Sequence, residues 1–252
     1  MFYPVVGDLA RVRERIYRYT KTRAGDLKDF AYLEEHVESY ICPALVLFAA
    51  RINGQVTENA ISFAEVLQLI YMASTIHRNI NEDGLFQGNK AFDPRDGCQY
   101  PVLVGDYLYS KAFAILIETD NTEHMVSLSE MVCKINEGGI IRNKSQGGVV
   151  RLDVWREIIR LEKAELLAGC CRLGAEAGGA DKESRFYLSK FGCALGMAMG
   201  MTEIKRFDQA DIYFNEALSH LDRLVPGEYR DNLKNMVLCL ADKNIDSKKM
   251  VC

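Results

Sequence analysis

The chain has 252 residues, 48% of them hydrophobic, which is enough apolar mass for one sizeable core and short for two full domains, so residues 1–252 are read as a single domain. Its 31 Lys and Arg stand against 35 Asp and Glu, a net charge of −4 with the signs interspersed, which argues against a nucleic-acid footprint and against a basic membrane-binding face. No stretch approaches the ~20 apolar residues of a membrane span and Met1–Ala10 lacks the pattern of a signal peptide, so the expectation is a cytoplasmic protein without a transmembrane segment.

Five prolines leave long uninterrupted segments, and few runs alternate in the manner of a strand, so the chain reads as all-α. In chain order, helices are expected over 5–22, 27–40, 42–53, 57–80, 101–118, 122–137, 150–177, 183–203, 206–223 and 228–243, about ten in all. Asn53-Gly54 ends one of them and the Thr57 hydroxyl caps the next, with Ala60 three residues on. Asn81–Tyr100 is the one long irregular stretch. Glu137-Gly138-Gly139 and Gly147-Gly148 frame a Gly-rich loop that has no nucleotide-binding pattern. Gly178-Gly179 stops the long helix before it, and Pro226-Gly227 separates the last two. The segments 42–50, 101–118 and 191–201 are apolar on nearly every face and must be surrounded by other helices or by a partner subunit. The eight cysteines, Cys42, Cys98, Cys133, Cys170, Cys171, Cys193, Cys239 and Cys252, form no Cys-x-x-Cys pair and are expected to be reduced core thiols.

Residue types alone offer little chemistry. His77 leads into Arg78, Asn79, Glu82 and Asp83, which on composition is a solvated helix end. Asp106, inside an apolar run, needs a hydrogen-bond partner. Glu162-Lys163 is a charged pair on a long helix, and the four histidines suggest no nucleophile-and-base arrangement.

The order of the fragments says more. Pro43-Ala44-Leu45-Val46-Leu47, His77 with its acidic tail, Val104-Gly105-Asp106-Tyr107-Leu108, Lys163-Ala164 leading to Leu173-Gly174-Ala175, and Phe191-Gly192-x-x-Leu195-Gly196 follow one another at separations that resemble the trans-polyprenyl diphosphate synthase family. The resemblance runs from about residue 10 to 243 and implies an isoprenoid-synthase-like bundle around a central cavity. In such enzymes magnesium ions bridge two aspartate-rich motifs to an allylic diphosphate. Here the first motif, Asp-Asp-x-x-Asp in the family, reads Arg78, Asn79 and Glu82, with Asp83 beyond it. The second keeps one carboxylate, Glu203, before Ile204. The cations expected to grip isopentenyl diphosphate are replaced by Glu38–Cys42, and the Arg-Arg pair after the first motif by Phe86-Gln87. Lys163 is the one diphosphate-contact candidate that the resemblance retains.

The resemblance thus implies a kept fold without its chemistry: no catalytic residues, no metal site, no magnesium cofactor. The leading expectation is a non-catalytic subunit that stabilises or regulates a catalytic polyprenyl diphosphate synthase partner in the supply of isoprenoid or quinone side chains. The alternatives are a homodimeric pseudoenzyme that binds an isoprenoid or other lipid, and a weak prenyltransferase. The family also implies a subunit contact along Pro101–Ile117, where Asp106, Tyr107, Tyr109, Ala112 and Phe113 are the expected interface residues. Ala73 and Ser74, just upstream of the broken motif, are small and leave room for a chain.

Overall fold

A computed structural model of the chain describes residues 3–23, 25–27, 40–80, 99–145 and 147–251, with side chains through residue 242. These form the helices α1 (Val6–Thr20), α2 (Ile41–Asn53), α3 (Glu58–Arg78), α4 (Gln99–Glu118), α5 (Met125–Lys144), α6 (Leu152–Ile159), α7 (Glu165–Ala177), α8 (Lys182–Glu203), α9 (Phe207–Leu221) and α10 (Glu228–Val251). The all-α bundle expected from the sequence is therefore the fold. The helix expected over 27–40 falls almost wholly outside the described residues, as do Cys98, Cys252 and most of the irregular stretch 81–100.

Local chemistry sets some of the boundaries. The Thr57 hydroxyl accepts from the Ala60 amide at 3.2 Å, and Asp181 caps α8 by accepting from the Ser184 amide at 2.7 Å. Two boundaries differ from expectation. The first helix stops at Thr20, because Gly25, at φ +123°, turns the chain into a short antiparallel hairpin of Lys21–Thr22 with Gly25–Asp26. Gly138 and Gly139 lie inside α5 and not in a loop. Gly138 is there for proximity: a Cβ on it would come within 2.7 Å of the Glu162 side chain.

α2 is the centre of the bundle. Every residue from Ile41 to Ala50 is buried, enclosed by α3, α7, α8 and α10, so no face of this helix needs polar residues. Around it, α6 and α7 run as one helix through a π-helical turn at Arg160–Ala164. α8 lies against that helix along Gly192, Gly196 and Gly200, spaced four residues apart. A Cβ on them would meet Leu167 O at 2.3 Å, Ala164 Cα at 2.6 Å and Ile159 Cγ2 at 2.3 Å. This stripe lets the two backbones touch and brings the C-terminal end of α8 beside the π-turn.

α3 is long and apolar enough by composition to cross a membrane, but 78% of its most apolar window is buried inside the protein, as in a core helix. Cys42, Cys170 and Cys171 are buried thiols, and burial pushes the last two well up. Cys133 and Cys239 are exposed, a correction to the expected core position, because each falls on the outward side of its helix.

α1 is pinned to α3 by Arg15, which donates to Glu58 at 2.6 Å and to the buried Glu65 at 3.0 Å. Burial outweighs Arg15 here and raises the Glu65 carboxyl to about 7. A raised folded-state value means that Glu65 favours the fold most below the unfolded value near 4.5 and loses that contribution as pH rises through 7. Glu65→Gln should therefore gain stability relative to the parent between pH 5 and pH 8, by an amount of order 2 kcal/mol, read from denaturant melts; parallel curves would contradict this. Gly196→Ala should lose about 1–3 kcal/mol to backbone collision. Gly139→Ala, with nothing within 4 Å of its Cβ, should be neutral or gain up to about 1 kcal/mol in the same melts.

Candidate functional site

A cavity of about 300 Å³ lies between the C-terminal half of α3, α5, the π-turn with the start of α7, and α8. Its inner wall is apolar, formed by Ile41, Tyr71, Ile135, Leu166, Leu167 and Met199. Burial pushes the Tyr71 hydroxyl up to about 12, so it is a neutral phenol at any ordinary pH. Ser74 lines the space and donates to Tyr71 O at 2.8 Å, whereas Ala73 is wholly in the core. Thr75 also lines it, its buried hydroxyl interacting with that of Tyr71.

The outer end of the cavity is ionic. Glu162 sits on the π-turn with its side chain 6% exposed. A carboxylate so buried requires counter-charge. Arg142 of α5 supplies it in a two-point grip, Nε to Oε1 at 3.0 Å and Nη2 to Oε2 at 2.6 Å, and lies over the Trp155 ring at 5.1 Å. Arg78, the last residue of α3, approaches the same carboxylate at 3.9 Å. One residue along the turn, Lys163 pairs with Glu203 at the end of α8, its side chain 11% exposed. The π-turn is what presents Glu162 and Lys163 together, since the additional residue in its ring offsets the register of α7 from that of α6.

The structure thus places Arg78, Lys163 and Glu203 around one cavity mouth. Asn79 ends α3, its amide bonded to Thr75 O and Ile76 O, and Ile204 ends α8. Glu82 and Asp83 lie outside the described residues, as do Glu38, Ser39, Phe86 and Gln87. His77 is not a simply solvated end: its Nε2 is 3.3 Å from Val102 O and 3.5 Å from Asp106, in space that Gly105 leaves open, where a Cβ would come within 2.1 Å of it. The role of Arg142 escapes the sequence, because it lies 64 residues beyond Arg78 and no motif connects them. The available signal was Arg78 itself: a guanidinium in place of a carboxylate calls for a counter-charge, and Glu162, next to Lys163, is one in the sequence.

The expected contact helix, α4, divides differently from the sequence reading. Ala112 is fully buried, packed with the rest of that side against α3, so it belongs to the core. The Tyr107 hydroxyl donates to Tyr19 O at 3.0 Å, the Tyr109 hydroxyl is buried beside the His77 ring, and Phe113 packs partly on the core. The outward face carries Leu103, Asp106 and Ile117, with Leu103 65% and Ile117 60% exposed.

Removing Glu162 should leave two guanidinium groups without their shared carboxylate. Glu162→Ala is expected to cost about 3 kcal/mol in chemical denaturation. Arg142→Ala should cost much less in that background than alone; additive losses would show that the pair is not coupled.

The Polyprenyl synthetase family model matches residues 35–202. Among curated relatives, the heptaprenyl diphosphate synthase component 2 of Geobacillus stearothermophilus is 29% identical over 199 residues, 78% of this chain and 62% of that protein. The short chain isoprenyl diphosphate synthase of Methanothermobacter thermautotrophicus is 30% identical over 167 residues, 63% of this chain and 50% of its own length. The chain therefore spans less than two thirds of these relatives. Among solved structures, the polyprenyl synthase from Caulobacter crescentus complexed with calcium and isoprenyl diphosphate superposes with a TM-score of 0.82 at 18% identity, covering 93% of this chain and 94% of that one. A mint heterotetrameric geranyl pyrophosphate synthase deletion mutant gives 0.75 at 17%, covering 94% of this chain and 100% of its own. The shared fold, the ordered motifs and the family match over two thirds of the sequence lead to one assignment: the chain belongs to the polyprenyl synthetase family.

Proposed function

We propose that this chain is a non-catalytic subunit of a heteromeric prenyl diphosphate synthase, folded like its catalytic partner and serving to stabilise or regulate it. The observation that carries the reading is Arg78. It stands where the family resemblance puts the first metal-binding aspartate, and its guanidinium is directed to Glu162, which Arg142 also grips. The described residues do not fit magnesium. Hard cations need several converging oxygens, yet Glu162 and Glu203 are each committed to a protein cation, and among the described residues no three His, Cys, Asp or Glu come together as a metal site. Ionisation of an allylic diphosphate depends on positive charge at the leaving group, so loss of the metal removes the main catalytic contribution.

Two of the similar proteins support assembly with a partner by what their names say: one is a component of a heptaprenyl diphosphate synthase, the other belongs to a heterotetramer. The outward face of α4 is the surface that would meet the partner, with Leu103 and Ile117 as its apolar contacts.

The test is co-expression with a synthase carrying both aspartate-rich motifs, encoded beside it. A stable mixed complex should form, and Leu103→Asp with Ile117→Asp should dissociate it while helicity is retained. The chain alone should not turn over allylic and isopentenyl diphosphates with magnesium, and Arg78→Asp with Asn79→Asp should not restore turnover, since it removes a cation from Glu162 and leaves the second substrate unheld. A homodimer with no affinity for the synthase, or turnover by the isolated chain, would overturn the proposal.

A further inference from the structure

We infer that Cys42 of α2 and Cys170 of α7 form a redox-sensitive pair, which hydrogen peroxide entering by the cavity joins in a disulfide that staples the two helices behind the cavity wall. The inference stands apart from the loss of metal and from any partner subunit.

Helix packing puts the pair in register. α2 and α7 run parallel with their backbones in contact, since a Cβ on Gly174 would come within 2.7 Å of Val46 Cα and one on Gly178 within 2.8 Å of Ala50 Cα. One turn earlier on both helices, the same stripe reaches Cys42 and Cys170. Both are fully buried, and their thiols hydrogen-bond to each other. A disulfide spans Cα atoms roughly 4.4–6.8 Å apart, the kind of separation that helices in backbone contact provide. Cys171, the next residue, points about 100° around α7 from this stripe.

The cavity gives the oxidant its route. Ile41, next to Cys42, lines it, as do Leu166 and Leu167, one turn before Cys170. The Tyr71 hydroxyl on the same wall is pushed up to about 12 by burial first and by Cys42 next, so that thiol lies close behind it. The wall is apolar and the cavity about 300 Å³, which admits a small uncharged oxidant and disfavours a bulky charged one such as oxidised glutathione.

Burial and the contact with Cys42 hold the Cys170 thiol well up, so Cys170 keeps its proton and donates to Cys42. Cys42 is therefore the sulfur that attacks peroxide. It gives up its proton and takes one oxygen as the O–O bond breaks, and the departing hydroxide and that proton make water. Cys170 then attacks the sulfenic acid sulfur; the S–S bond forms, and the second oxygen leaves as water with the Cys170 proton. Two thiols lose two electrons and two protons, and one peroxide becomes two waters. Sulfurs this buried react more slowly than the exposed Cys133 and Cys239.

The test treats the reduced full chain with hydrogen peroxide or with oxidised glutathione, unfolds it at mildly acidic pH with N-ethylmaleimide, and maps the cysteines by mass spectrometry without reduction. Peroxide should yield the Cys42–Cys170 link after Cys133 and Cys239 have begun to oxidise, and oxidised glutathione should leave the pair as thiols. Peroxide treatment should raise the melting temperature by about 5 °C or more, a rise that dithiothreitol reverses and that Cys42→Ala does not show. Cys171→Ala should still form the link, and Cys170→Ala should stop at a Cys42 sulfenic acid that dimedone captures. A pair that stays reduced under peroxide while the exposed cysteines oxidise fully would overturn the inference. So would a link to Cys171 instead, or a Cys42–Cys170 link that leaves the melting temperature unchanged or lower.

Discussion

Glu162 is the constraint on which the site depends. A carboxylate with a side chain 6% exposed is tolerable only with cations in contact, and this one draws Arg142 from α5 and Arg78 from the end of α3 to a single point on the π-turn. That convergence requires backbones to approach closely. Gly138 admits α5 to Glu162, and the Gly192, Gly196, Gly200 stripe brings α8 against the same helix so that Glu203 reaches Lys163. The glycines and the ion pairs form one arrangement: the first set the distances that the second need.

The consequence for function follows from where the charges come from. A prenyl synthase that uses magnesium must keep carboxylates unpaired until the ion arrives. Here the described carboxylates at the mouth, Glu162 and Glu203, each already face a cation of the chain itself. An enzyme site of this kind would have to break salt bridges before assembling a metal cluster. The fold rests on more than this cluster: α2 is buried from Ile41 to Ala50 among α3, α7, α8 and α10.

Much of the fold was legible in the sequence. The apolar run of α2, the capping hydroxyl of Thr57 and the stop at Gly178-Gly179 are local signals, and each names its own boundary. Adjacent glycines misled at Gly138-Gly139, because a close helix contact and a loop use the same residue, and only the position of Glu162 distinguishes them. Ala112 misled in another way: periodicity cannot tell a helix face turned to its own bundle from one turned to a second subunit. At the site, the resemblance marked Arg78 and Asn79 as departures from the family's first motif and Lys163 as a contact candidate. The partnership of Arg78, Glu162 and Arg142 was not, since it is made by three elements far apart in the chain, and nor was the π-turn that aims Glu162, which leaves no residue pattern of its own.

The central claim is that internal cations have taken the place of metal ions. Its most direct test is calorimetric titration of the purified chain with a bisphosphonate in the presence and absence of magnesium, with a catalytic synthase as control. The control should show binding that depends on both components together. This chain should show no heat that requires magnesium, and an Arg78→Ala variant should behave the same way. Tight binding of the bisphosphonate that appears only when magnesium is added would mean that the Arg78–Glu162–Arg142 cluster yields to metal, and the account would fail.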